Sequence, residues 1–136
     1  MFLLRDTKSE GTDVFETCGL VTKKGRWEPK PSWFYVTTLK HHLSNMRYAG
    51  EVASGRADVR IDRFDAQTGS GRVYAVWCPT SEDKHVAAYP FPLPVHSATA
   101  VTLAAGKQKG VSTALPVKQG KVTLEVSEIP LLLRTP

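Results

Sequence analysis

The chain has 136 residues, 41% hydrophobic and 23% charged, which fits one domain with a real core and excludes wholesale disorder. Its 18 Lys and Arg against 13 Asp and Glu give a net charge of +5, but these are scattered along the chain, which favours a solvated surface over a nucleic-acid partner. Two cysteines outside any CxxC spacing and four histidines without ligand spacing exclude a zinc site.

The first apolar run, residues 2–4, reads as a short strand. It is too short for the apolar part of a signal peptide, so the compartment stays open. No later segment is apolar for long enough to cross a membrane. An acidic loop with Glu10, Asp13 and Glu16 follows, then a second short apolar run at residues 18–21. Cys18 and Cys78 are expected as two buried free thiols rather than a disulfide.

Pro31 fits the first position of a helix, where its missing N–H costs nothing and its φ is already set. From Ser32, the residues Tyr35 or Val36, Leu39, Leu43 and Met46 recur at steps of three and four, an apolar stripe. Lys40, His41 and His42 sit toward the end that favours cations. The spacing therefore predicts a helix over residues 32–45, with Trp33, Phe34 and Tyr35 crowded into its first turn. Consecutive helical positions point about 100° apart, so one face cannot bury all three.

Beyond residue 50 the chain changes character. Turn residues recur at Ser54-Gly55, Thr68 to Gly71, Ser81 to Asp83, Pro90 to Pro94, Ala105-Gly106 and Gln119-Gly120. Between them lie VRIDRFDA, RVYAVWC, KHVAAY, TAVTLA, VSTALPV and KVTLEVSE, each of strand length and rich in β-branched or aromatic residues. In the last of these Val122, Leu124 and Val126 alternate with Lys121, Thr123 and Glu125. RVYAVWC is apolar on its second face too, as a central strand would be. EIPLLL is one more strand, with Pro130 at a bulge or an edge. Many short strands with no intervening helix predict a mainly β fold: an antiparallel β-sandwich at 51–136, preceded by a strand–loop–helix segment at 1–50.

The order of these pieces resembles the end of a retaining glycoside hydrolase whose (β/α)8 barrel is followed by a β-sandwich. The residues that carry the resemblance are Arg5-Asp6 after an apolar strand, the GLVTKKGRWEPKPSWFYVTTLKHHL stretch, TGSGRVYAVW, and the closing GKVTLEVSEIPLLL. The resemblance implies that residues 1–50 correspond to the last barrel strand and helix. It also implies that the aromatic first turn packs where barrel and sandwich meet.

Retaining hydrolysis uses two carboxylates flanking the scissile bond. In the enzymes resembled, these stand on barrel strands that would lie upstream of residue 1, so the chain alone is expected to be inactive. It is expected to be the mainly structural sandwich portion, with a stand-alone carbohydrate-binding module as the alternative. The resemblance places Arg5, Asp6 and Glu10 toward the substrate side. Trp27, in a loop beside Arg26 and Glu28, is the aromatic best suited to stack on a sugar ring, with Tyr89 a further aromatic for the module reading. Partners are then an oligosaccharide and either the barrel portion or a second copy of the chain. No nucleic acid, membrane or cofactor is expected. The chain has no GxSxG elbow, phosphate loop or HExxH, and His41-His42 point to different faces. Glu51, Asp58, Asp62 and Asp65 among Arg56, Arg60 and Arg63 read as charge pairing across strands.

Overall fold

A computed structural model describes residues 4–7, 17–22 and 25–136 of the chain. One helix precedes eight strands: α1 (Pro31–Leu43), β1 (Met46–Glu51), β2 (Arg60–Ala66), β3 (Arg72–Trp77), β4 (His85–Pro92), β5 (Ser97–Ala104), β6 (Lys107–Pro116), β7 (Lys121–Ser127) and β8 (Leu131–Thr135). They form a six-stranded sheet in the order β1-β2-β3-β8-β5-β6 and a two-stranded sheet, β4-β7. Every pairing between these strands is antiparallel.

The period-two patterns explain the layers. Ile61, Tyr74, Val76, Ala98, Ala100, Leu131 and Leu133 from the large sheet meet Val86, Tyr89, Phe91, Val122, Leu124 and Val126 from the small one in the main core. Tyr74 and Phe91 pack edge to face at 5.1 Å. β3 is apolar on both faces because it has a second core behind it. There Val73, Ala75, Val101 and Leu132 pack with Leu39, Leu43, Met46, Phe64 and Trp77. The sheet is therefore a middle layer, with α1 lying over its β5-β6 side.

The helix begins at the predicted proline and ends at Leu43, two residues before the expected stop. Of its apolar stripe, Leu39 and Leu43 do pack on the sheet, while Val36 remains 47% exposed. The fully buried position is instead Thr38. Its hydroxyl lies 3.2 and 3.3 Å from the carbonyl oxygens of Lys107 and Gln108. Close by, His42 Nε2 donates to the Lys109 carbonyl at 3.0 Å. The helix thus satisfies carbonyl groups along the start of β6, an outer strand that would otherwise present them unpaired. Periodicity in apolar residues gives no hint of this polar docking.

Several strand expectations need correction. Met46, the last member of the helical stripe by spacing, instead opens β1, which pairs with β2 through a bulge at Tyr48 to Gly50. Pro90 and Pro92 lie within β4 rather than in a turn. A two-stranded sheet has free outer edges, and a missing N–H is tolerated there. Pro130 conversely lies outside β8, which sits between β3 and β5 and needs its donors on both sides. β6 also begins earlier than expected, immediately after the Ala105-Gly106 turn. Cys78 is buried and free as expected, but Cys18 is exposed.

Candidate functional site

The region that the sequence singles out is organised around a small backbone lattice. Val21 bridges Arg5 in parallel on one side and Pro29 antiparallel on the other. Asp6 N donates to the Val21 carbonyl at 2.9 Å, and Val21 N to that of Leu4 at 3.1 Å. The returning segment is tied by Thr22 N to the Glu28 carbonyl and Lys30 N to the Leu20 carbonyl, each 3.0 Å. Phe2, Leu3 and Glu10 lie outside the described residues.

Two of the four candidate residues meet directly. The Arg5 guanidinium stands over the Trp27 ring, 5.5 Å from its centroid, a cation–π arrangement. Trp27 is half exposed (50%) and has a φ of +56°, a left-handed backbone that a bulky residue seldom adopts. Such a conformation persists only where the surroundings enforce it. Here the enforcing contacts are the Thr22 and Lys30 backbone bonds on either side of the turn.

Asp6 is placed differently from its neighbours: only 7% exposed, with its carboxylate turned inward. Lys30 Nζ approaches the two carboxylate oxygens at 2.9 and 3.1 Å and also donates to the Thr17 carbonyl. Gly19 N adds a 2.9 Å bond to the same carboxylate. A Cβ on Gly19 would lie 2.2 Å from the Arg5 carbonyl carbon, so only glycine permits this approach. The ion pair holds the Leu4–Asp6 segment to the entrance of α1, because Lys30 is also the residue before the helix and its carbonyl accepts from Trp33 N. Sequence reasoning misses Lys30 and Gly19. The one available signal is a lysine fixed between two prolines, whose stiff backbone limits where its side chain can reach.

Several of the other described carboxylates are engaged by neighbouring groups. Arg56 makes a two-pronged contact with Asp58 at 2.8 and 2.7 Å. Arg60 reaches Glu51 at 3.3 Å across strands and Asp62 at 3.4 Å, and stacks on Trp77 at 5.6 Å. Arg63 Nε and Asp65 Oδ1 face each other at 3.3 Å, near enough for an ion pair though not aligned for a hydrogen bond. Of these contacts only Arg60–Glu51 is the pairing across strands expected from sequence; Arg60–Asp62 and Arg63–Asp65 run along β2, and Arg56–Asp58 lies in the loop before it. Glu128 Oε1 accepts from Thr80 Oγ1 and Glu82 N, each at 2.6 Å, and from Lys84 N at 3.1 Å. Those bonds, with the Thr80 hydroxyl foremost, hold the Glu128 carboxyl below its usual range. Tyr89 is buried in the main core and donates to the Ser54 carbonyl at 2.7 Å, so it presents no face to a sugar. No group of three or more His, Cys, Asp or Glu among the described residues could hold a metal ion.

The architecture defines a class: an antiparallel β-sandwich with a helix and a strand-like segment appended at its N-terminal side. Among proteins of known structure it matches a family 39 glycoside hydrolase from the gut symbiont Bacteroides cellulosilyticus WH2, with a TM-score of 0.73 at 16% identity. The match covers 98% of this chain and 25% of that one. The fold, including the appended segment, is thus that of one quarter of a glycoside hydrolase chain. No family model matches the sequence, and no curated protein matches it.

Proposed function

We propose that the chain is the C-terminal, mainly structural sandwich portion of a glycoside hydrolase and does not catalyse on its own. The observation that supports this most is the extent of the fold match. It includes both the sandwich and the strand–loop–helix segment, in one chain four times as long. A carbohydrate-binding module would need the sandwich but has no use for the segment.

On this reading the catalytic carboxylates belong to the barrel, not to these residues. The chain's own described carboxylates fit that division, since Asp6, Asp58 and Glu128 are each held by structural partners. The first turn of α1 is the surface that meets the barrel. Trp33, Phe34 and Tyr35 are half-buried there, followed by exposed Val36. Large apolar groups left half open favour coverage by further polypeptide. Arg5 and Trp27 are the residues through which this portion contacts sugar at the barrel's rim.

A second reading has one observation in its favour. Trp27 is exposed, strained and backed by a cation, as a sugar-stacking aromatic in an independent module would be. Two measurements on the chain separate the readings: turnover of aryl glycosides, and tryptophan fluorescence titration with xylo- and cello-oligosaccharides. The structural reading predicts no turnover and no saturable binding by the chain alone. Saturable binding lost in Trp27→Ala selects the module, and turnover refutes both.

A further inference from the structure

The charges are scattered along the sequence but segregated in space. Neither residues 29–50 nor residues 84–124 contain an Asp or Glu. As a result α1, β5 and β6 carry no carboxylate at all, and β8, LLLRT, has none either. The cations on these elements are Lys40, His41 and His42 on α1, Lys107 and Lys109 on β6, and Arg134 on β8. The elements are neighbours, since α1 lies on β5-β6 and β8 pairs with β5.

Elsewhere Arg56, Arg60, Arg63 and Arg72 all stand within ion-pair distance of a carboxylate, whereas Arg26 and Arg47 make no ion pair among the described residues. Lys40, Lys107, Lys109 and Arg134 make no ion pair among the described residues. His42 records the same field. Burial pushes its pKa down, its bond to the Lys109 carbonyl opposes this, and Arg134 and His41 push it down further. The negative end of the helix accounts for cations at Lys40 and His41. It does not account for Lys107, Lys109 or Arg134, which lie on strands.

Between the second half of α1 and the start of β6 runs an open groove lined by Thr37, Lys40, His41, Ser44, Gln108 and Lys109. Two ammonium groups flank hydroxyl and amide donors, and no carboxylate competes for them. We propose that this groove binds an anionic polysaccharide, with Lys40 and Lys109 pairing its carboxylate or sulfate groups. Thr37, Ser44 and Gln108 would then supply hydrogen bonds to hydroxyls. The choice of a glycan over another polyanion rests on the glycoside hydrolase reading above. The site is separate from Arg5 and Trp27 and needs neither of them.

The test is a titration of the full chain with polygalacturonate, dextran sulfate and neutral dextran at low and physiological salt. A single-stranded oligonucleotide serves as a polyanion of another class. Two charge-matched double variants accompany it: Lys40→Gln with Lys109→Gln in the groove, and Lys118→Gln with Lys121→Gln beside the two-stranded sheet. We expect one or both anionic glycans to bind and neutral dextran not to. The glycan that binds identifies the anionic group. The groove variant should weaken binding about tenfold at low salt, and salt should weaken the wild type likewise. The second variant should bind as wild type. Equal losses in both variants would reduce the effect to net charge and overturn the proposal, as would failure of both glycans or tighter binding of the oligonucleotide. A Trp27→Ala variant should leave this binding unchanged. Failure of the groove to bind would not touch the structural reading, whose outcomes are turnover, sugar stacking and association.

Discussion

Lys30 fixes how the segment ahead of α1 is held. Its ammonium is the cation of a largely buried carboxylate, Asp6, and its backbone joins the Leu20 carbonyl to the start of α1. Lys30→Met keeps the apolar stem and removes the charge, leaving the Asp6 carboxylate to the Gly19 N–H. The expected loss is about 1–3 kcal/mol, the scale for stranding a buried polar group. Urea denaturation measures it, while amide exchange at Asp6 and Val21 shows whether the segment opens locally. Glu128 allows a second prediction at this scale. Its folded-state pKa is depressed, so the stability it contributes is present above the ordinary carboxylate range. That stability is lost as pH falls through the folded value. Asp58, lowered chiefly by its hydrogen bond from Arg56, acts in the same direction. Glu128→Gln should therefore flatten the acid side of a plot of Tm against pH. An unchanged acid limb would mean that the Thr80–Lys84 clasp does not form in solution.

At the scale of elements, the docking of α1 depends on a close approach rather than on apolar area. Gly110 has a φ of +66°, and a Cβ there would lie 2.5 Å from the Thr102 carbonyl and 3.0 Å from Thr38 Cγ2. Gly110→Ala should cost about 1–3 kcal/mol through backbone strain and displaced packing. Near-ultraviolet circular dichroism should show a loosened helix contact, since Trp33, Phe34 and Tyr35 all lie on α1. Thr38→Val should cost about 1 kcal/mol through the carbonyl groups it leaves unsatisfied. Both contacts are invisible in the sequence because each joins the helix to a strand far along the chain. What is legible there is local. The Pro31 start, the alternation in β7 and the doubly apolar β3 each express a pattern contained within one element. The errors come where sheet context decides: a proline in β4 is tolerated only because its sheet has two strands, and one in β8 is excluded because β8 is central. The site is legible in part. Arg5 and Trp27 stand out in the sequence and meet in the fold, whereas the inward turn of Asp6 depends on Lys30 and Gly19, which carry no motif.

For the whole molecule, the decisive feature is a domain with two cores and an incomplete outer layer. The main core is closed between the two sheets. The second packs under α1 through Leu39 and Leu43, while the first turn of the helix leaves Trp33, Phe34 and Tyr35 half-buried and Val36 exposed. If the chain is the sandwich portion of a hydrolase, that surface belongs against a barrel, and without one it should find another cover. The most direct test is light scattering coupled to size exclusion, over a dilution series from near-millimolar to micromolar chain. The expected result is association that reverses on dilution and is weakened by Val36→Asp, a substitution at an already exposed helix position. A clean monomer at every concentration, identical in the variant, would mean that this surface needs no partner and would contradict the assignment to a larger enzyme.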